Sequence, residues 1–407
     1  MPSGPVPTPT PIVRIITRLN IGGPSIQATR LTTALEPHGY TTTLIHGRLG
    51  EGEGDMSYLL APGARAIQLD SLRRPVSPLH DLRAVVRIYG ELTRLRPAIV
   101  HTHMAKAGLL GRLATVFYNL TRGSAPRARV VHTYHGHVLE GYFNALITGI
   151  FVALERLLAR ASDRIIAISP AIERELRDGF GIGRADQYRV VPLGFDLSAF
   201  AAVDDASRAR ARQDLSIDAD AEVVSTVGRL TAIKQHRLFL DTVARAARSR
   251  PRIVALIAGD GELRAELESY AAQLGIANRV RFLGWRRDLP TIYGATDVFL
   301  LTSRNEGTPV ALIEAMATGV TGVSTDVGGV KDVINSDAVG GRVPDNDAEA
   351  LAAAVVRYLA DPGLRRMSGQ RARSAVLHRY SLERLVRDIA ELYAELVPDA
   401  QKTAVHH

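Results

Sequence analysis

Residues 296–329 read TDVFLLTSRNEGTPVALIEAMATGVTGVSTDVGG, and the fold turns on how this stretch is divided. The apolar run from Asp297 to Leu301 reads as a buried strand and is followed by a polar loop. Pro309 to Thr318 reads as a helix stopped by Gly319, and Thr321 to Thr325 as a second strand. Thr308 is placed to cap that helix with Pro309 at its first position, so the first free backbone donors belong to Val310 and Ala311. An anion is expected there. Glu306 lies just before the cap, and Glu314 lies about 9 Å further along the axis in a helix otherwise made of Val, Ala, Leu, Ile and Met. A carboxylate in so apolar a helix needs a partner.

Two acids bracketing an anion-binding helix start suit a ligand with phosphate in the middle and hydroxyl-rich groups at both ends. Carboxylates accept paired hydrogen bonds from vicinal diols, so Glu314 suits a ribose and Glu306 a sugar. A nucleotide sugar has that layout. A helix carrying one snorkelling Glu behind a loop Glu has the same spacing, and spacing alone leaves both readings open. Glu306, seven residues and Glu314 also resemble the E-x7-E signature of the retaining glycosyltransferases of family 4, which have the GT-B fold.

The 407 residues suit two domains of about 200 residues each. Few aromatics and 46% apolar residues fit an α/β protein. Cysteine is absent, which removes disulfide and thiolate chemistry and fits a reducing compartment. No run approaches 18 uncharged apolar residues, and MPSGPVPTPTP is a Pro-rich opening unlike a signal peptide, so a soluble cytoplasmic protein is expected.

The net charge of +8 is uneven: residues 1–197 hold 23 basic and 15 acidic side chains, whereas 198–407 hold 27 of each. An anionic acceptor, an anionic membrane surface at the inner face of the plasma membrane, or a generic Arg-rich surface would each account for it. Nucleic acid is disfavoured, because no helix-turn-helix, zinc-finger spacing or basic and aromatic interleaving occurs. Only four of the 50 basic residues are lysines, Lys106, Lys234, Lys331 and Lys402. In a chain so rich in Arg, a lysine supplies a compact point charge in place of a fork.

From the N-terminus, strand Ile12 to Thr17 leads into RLNIGGPS and a helix from about Ser25 to Leu35. Gly22-Gly23 between strand and helix lets backbone approach a phosphate, although a plain turn has the same sequence. Gly47 to Asp55, GRLGEGEGD, reads as a mobile acidic surface loop. A basic loop and amphipathic helix follow, with Arg73, Arg74, Arg83 and Arg87 clustered; this face is expected either to meet an anionic lipid or acceptor or to be solvated. Strand Ala98 to Thr102 ends in His101-Thr102-His103, where no third metal ligand falls in register, and Lys106 reads as a charge facing a cleft. Strand Ala128 to Tyr134 delivers His135-Gly136-His137, and Tyr142 to Arg164 reads as an apolar helix with a basic end. Ala201 to Ala221 reads as the linker.

The second half opens with EVVSTVGRLTAIKQHRLF: strand, turn and helix, with Gly228 freeing the turn, Arg229 at the strand end and Lys234 at the helix start. Two cations there are able to clamp a diphosphate, and a surface Arg and Lys at a loop is the plainer alternative. IVALIAGDGELRAELE reads as strand, glycine turn and acid-capped helix with a mostly structural role. Gly284 and Trp285 fall on a strand-end loop, and half-buried core is one reading of Trp285.

The family resemblance covers residues 12 to about 397 and rests on G-R-L-x-x-x-K (Gly228 to Lys234), the two glutamates, the Gly-Gly pairs, TYHG ending in His135-Gly136 and VPLGFDLSAF. It departs in IGGPS and in the Thr-Pro that follows Glu306-Gly307, where many members have Phe-Gly. It implies a GT-B protein of two Rossmann-like parallel-sheet domains facing each other across a cleft. Residues 1–197, completed by a C-terminal helix 381–407, would form the acceptor side, and 198–380 the donor side. The crossing last helix would make closure a hinge motion. The implied activity is retaining transfer of a sugar from a UDP-linked nucleotide sugar to a hydroxyl acceptor, lipid-linked or polysaccharide, in envelope or exopolysaccharide synthesis. Arg229, Lys234, Gly23, Gly228 and the amides at Thr308, Val310 and Ala311 would hold the diphosphate. Glu314 would hold the ribose, the loop of Gly284 and Trp285 the base, and Glu306 and His135 the reacting sugar, with Arg73, Arg74 and Lys106 on the acceptor side. No cofactor and no metal would be needed, because the cations take up the leaving charge. The competing expectations are a nucleotide-sugar 2-epimerase on the same fold, which needs paired acid and base groups that are not apparent, and a non-catalytic nucleotide-sugar-binding subunit.

Overall fold

The computed structural model describes residues 8–136 and 145–398; the opening MPSGPVP, His137, the first residues of the helix expected from Tyr142, and residues 399–407, including Lys402, lie outside them. The chain divides into two compact units, one of residues 1–195 with 383–407 and one of residues 196–382. Each is a parallel sheet covered by helices.

The first unit contains β1 (Thr10–Ile16), β2 (Tyr40–Gly47), β3 (Arg65–Leu69), β4 (Ile99–His103), β5 (Arg129–Tyr134), β6 (Arg164–Ala167) and β7 (Tyr188–Val190), in the order β3-β2-β1-β4-β5-β6-β7. The central strands β1, β4 and β5 are buried on both faces, as a helix-covered parallel sheet requires, whereas the edge strands β3 and β7 are partly exposed. The order reverses between β1 and β4, which opens a crevice at their carboxyl ends. Arg14 pairs in register with His101, and His103 with Thr133, so the two-residue period puts all four side chains on one face. Helix Leu382–Leu396 covers that face, burying Leu385, Ile389 and Tyr393. Helix Pro78–Leu95 buries Ala84, Ile88 and Leu92, a clean stripe of one residue every turn.

The second unit contains β8 (Glu222–Val227), β9 (Ile253–Ala258), β10 (Val280–Gly284), β11 (Val298–Leu301), β12 (Thr321–Thr325) and β13 (Gly340–Val343), in the order β10-β9-β8-β11-β12-β13. Its reversal falls between β8 and β11. Strand β11 starts one residue later than its apolar run suggests. Asp297 is taken up elsewhere: its Oδ2 accepts from the Val223 amide at 2.8 Å and from Arg212 at 2.7 Å. Among the described residues no helix is long and apolar enough to cross a membrane.

Candidate functional site

In the second unit, three loops meet beyond the carboxyl ends of β8, β11 and β12. The Arg304 amide donates to Ile233 O at 2.9 Å, Thr302 Oγ1 donates to Lys234 O and Gln235 O at 3.1 Å each, and the Gly329 amide donates to Glu306 O at 2.9 Å. This stitching brings Lys234 Nζ to 2.6 Å from Glu306 Oε1, which also accepts from Ser303 Oγ at 2.6 Å. Spacing assigned Lys234 and Glu306 to different groups of a ligand; folded, they form one charge-assisted pair. Arg229 is exposed beside them and makes no ion pair among the described residues.

The helix after this loop is Val310–Ala317, one residue shorter at its start than expected. Pro309 is non-helical, with φ −77° and ψ 79°, and itself holds the cap position without a side-chain hydrogen bond; Thr308 therefore does not cap. Val310 and Ala311 still occupy the first turn, where amides have no acceptor within the helix. Glu314 finds its partner in Tyr293, whose hydroxyl donates to Oε2 at 3.1 Å, and burial pushes its carboxyl up to about 7.

Close backbone contacts explain the glycines. A Cβ on Gly328 would lie 2.0 Å from Glu306 O, and one on Gly329 1.8 Å from Gly307 O, so any side chain there would displace the Glu306 loop. Gly259 plays the same part under Gly228, whose carbonyl oxygen would be 1.9 Å from a Gly259 Cβ. The GDG turn is thus the floor of the Gly228–Arg229 loop, a role its sequence did not suggest. The helix after it, Arg264–Gln273, has Leu263 at its cap position with no side-chain hydrogen bond, so it is not acid-capped.

In the first unit, His135 leaves the end of β5 with Nε2 3.0 Å from His103 Nδ1. Burial, then the nearby Arg14 charge, holds the His135 imidazole down at about 3, so it is neutral. Gly23 begins helix Gly23–Ala34, with Pro24 following it and Gly22 at the cap position. Its amide is therefore among the free donors of that first turn.

Two family descriptions match the chain: "Glycosyltransferase Family 4" over residues 21–199 and "Glycosyl transferases group 1" over residues 207–375. A D-inositol 3-phosphate glycosyltransferase of Geodermatophilus obscurus is 32% identical over 336 residues, covering 75% of this chain and 69% of that protein. The chain belongs to glycosyltransferase family 4. The UDP-Gal:alpha-D-GlcNAc-diphosphoundecaprenol alpha-1,3-galactosyltransferase of Escherichia coli is 28% identical over 347 residues, covering 84% of this chain and 87% of that one. Among solved structures, Anabaena HepE in complex with UDP superposes with a TM-score of 0.80 at 21% identity, covering 95% of this chain and all of that one, which shows the GT-B fold.

Several expectations for this glycosyltransferase need correction. Lys106 is not a free charge: its Nζ lies 2.6 Å from Asp81 Oδ1 and also donates to Pro75 O, because the basic loop folds back over the start of its helix. Of the other acceptor-side candidates, Arg73 donates from Nε to Asp70 O at 2.8 Å, and Arg74 keeps its charge in solvent, 3.8 Å from Glu53. The acidic loop is pinned rather than mobile. Glu53 takes the nearly buried Arg18 at 2.7 and 2.9 Å, and the Met56 amide donates to Leu19 O at 2.9 Å. Trp285 is 64% exposed beside the left-handed Gly284, so it is not core. The helix predicted from Tyr142 to Arg164 ends at Arg160, and β6 begins at Arg164.

Residues that sequence reasoning passed over include Tyr293, Ser303, Arg14 and Tyr393. Arg14 did carry a signal, a charge in the middle of the buried strand TPIVRII.

Proposed function

We propose that this glycosyltransferase takes a hexose from a UDP-sugar and transfers it, with retention and without a metal ion, to a hydroxyl of a diphosphate-linked lipid acceptor in envelope or exopolysaccharide synthesis. The observation that carries the reading is the Lys234–Glu306 contact at 2.6 Å, with the exposed Arg229 and the free first-turn amides of helix Val310–Ala317 beside it. A diphosphate drawn to Arg229 and those amides meets Lys234 as a second cation. Glu306 then faces the sugar end, and Glu314, one helix turn on, faces the ribose diol. As the bond from the anomeric carbon to the phosphate oxygen breaks, these cations take up the leaving charge. The acceptor oxygen bonds the same face, and the leaving phosphate oxygen takes its proton. His135 is assigned to the transferred sugar and Gly23 to the diphosphate. The UDP and lipid-diphosphate classes follow the printed substrate of the Escherichia coli relative.

The test is an incubation with UDP-galactose or UDP-glucose and a GlcNAc-diphosphate lipid in excess chelator, with the new linkage read by NMR. An α-linked product supports the reading. A β-linked product, or activity that appears only with added divalent cation, contradicts it.

The Glu314 environment gives a pH prediction. Its folded value of about 7 lies above the ordinary 4.5, so the neutral form dominates in the folded enzyme through mildly acidic pH. Stability from this group is fully present below the unfolded value and lost as pH rises through about 7. Donor binding runs oppositely, because the carboxylate is the better diol acceptor. Donor affinity should rise about tenfold between pH 6 and pH 8, and Glu314→Gln should flatten that rise; an unchanged slope in the variant would remove Glu314 from the ribose role.

The helix Pro78–Leu95 supports a lipid-borne acceptor. Its outer face exposes Leu79 (58%), Leu82 (62%) and Val86 (60%) together with Arg83 and Arg87, with Val76 and Arg74 exposed just before it. Aliphatic side chains flanked by arginines suit the headgroup region of an anionic bilayer. Leu79→Ser combined with Leu82→Ser should lower binding to phosphatidylglycerol vesicles about tenfold or more, measured by co-sedimentation. Equal binding by the double variant would place the contact elsewhere.

A further inference from the structure

Arg14 is fully buried and forms no ion pair among the described residues, so a guanidinium sits in the first unit with only neutral hydrogen-bonding partners. Its contacts define proton positions. Guanidinium nitrogens only donate, so His103 Nε2, 3.5 Å from Arg14 Nη1, is unprotonated. A neutral imidazole carries one proton, which in His103 must then be on Nδ1. That N–H points at His135 Nε2, 3.0 Å away, which has to accept it. The His135 proton is left on Nδ1, and Nδ1 is buried without a hydrogen-bond partner among the described residues. Both rings are neutral, since burial and the surrounding cationic and imidazole groups, Arg14 among them, depress their values. A second path holds Arg14 from the other side: Nη2 donates to Tyr393 Oη at 3.1 Å, Tyr393 Oη is hydrogen-bonded to His101 Nδ1 at 2.7 Å, and His101 Nε2 to Thr133 Oγ1 at 2.7 Å.

We infer that Arg14, acting through His103, locks His135 in the Nδ1–H tautomer and keeps that N–H as an unused donor for an oxygen of the bound substrate. Arg14 and His103 are positioning residues, since neither needs to touch substrate. An unpaired buried donor is unfavourable in the free enzyme, and a hydroxyl oxygen arriving there relieves it. The donor is also uncharged, so it binds an oxygen without adding positive charge near an anomeric carbon that becomes cationic. That use of the N–H rests on the transfer reaction proposed above; the tautomer rests on the hydrogen-bond geometry alone.

The experiment is two-bond 15N–1H correlation spectroscopy of the full chain labelled with 15N-histidine, with the His135 signals assigned by their loss in His135→Gln. Wild type should show His135 protonated on Nδ1. His103→Asn, whose side-chain amide replaces the ring Nδ1–H donor, should retain that tautomer, and His103→Leu should shift it toward Nε2–H. Transfer should follow the tautomer, with kcat/KM about tenfold lower in His103→Leu and largely recovered in His103→Asn. Nε2–H in wild type, or one unchanged tautomer in all three proteins, would overturn the relay. If His103→Leu does not fold, the wild-type and His103→Asn spectra decide: Nδ1–H in both supports the relay, and Nε2–H in either overturns it. Wild-type Nδ1–H together with no transfer from any nucleotide sugar would sink the proposed reaction and leave the relay standing.

Discussion

Lys234→Ala should lower kcat/KM by about 10²–10³-fold, the range for removing one charge-stabilising group from an active site. Two effects combine. The leaving diphosphate loses a point charge, and Glu306, whose Oε1 accepts from Lys234 and Ser303 at 2.6 Å each, loses the partner that fixes its carboxylate. Lys234→Arg should recover little, because a planar fork does not fit where one ammonium sits between Glu306 and a phosphate. The fold should lose far less, since Lys234 is partly exposed and the largely buried Glu306 side chain keeps its hydrogen bond from Ser303. Steady-state kinetics beside a thermal melt separate the two. Activity within threefold of wild type would withdraw Lys234 from the reaction.

The largest stability effect is expected in the first unit at Arg112, which is fully buried with Nη2 2.6 Å from Glu155 Oε2. Tyr134, the last residue of β5, donates to the same oxygen. Arg112→Leu leaves a buried carboxylate without its cation and should destabilise the protein by about 3–5 kcal/mol. Adding Glu155→Leu should return much of that loss, because two apolar side chains replace two desolvated charges. Urea unfolding of both single variants and the double variant provides the test. A double variant as unstable as the sum of the singles would show that the pair is not coupled. His135 follows Tyr134 directly, so Arg112→Leu should also reduce activity below its melting point.

The alternation of apolar strands with helical segments was legible where the strands are continuous apolar runs, but not at β3 (RAIQL) or β13 (GGRV), and the stretch read as a linker, Ala201 to Ala221, holds the polar helix Asp205–Asp214. The loop residues that gather on the second unit's switch point were legible for a similar reason: Gly228, Arg229, Lys234, Glu306 and the Gly-Gly pair each follow a strand end. What sequence could not supply was which of them touch. Lys234 and Glu306 are 72 positions apart, and their contact depends on hydrogen bonds between loops, from the Arg304 amide to Ile233 O, the Gly329 amide to Glu306 O and the Thr302 hydroxyl to Lys234 O, that no spacing along the chain announces. Thr308 looked like a cap because its side chain has the right chemistry, but the non-helical Pro309 took that position. Lys106 looked free because Asp81, its partner, lies 25 residues earlier on another helix. Arg14 is the instructive miss. A charge inside a buried strand implies a partner, yet its partners are His103 and Tyr393, neutral groups that no charge-pairing rule would select.

The most direct test of the central claim is calorimetric titration of the purified enzyme with UDP-, GDP- and ADP-sugars in the presence of a chelator, repeated with Lys234→Ala. One UDP-sugar should bind in the micromolar range without metal, release its free sugar slowly, and lose most of its affinity in the variant. Binding of no nucleotide sugar by wild type, or equal binding by wild type and Lys234→Ala, would contradict the assignment of the Lys234–Glu306 site to the donor.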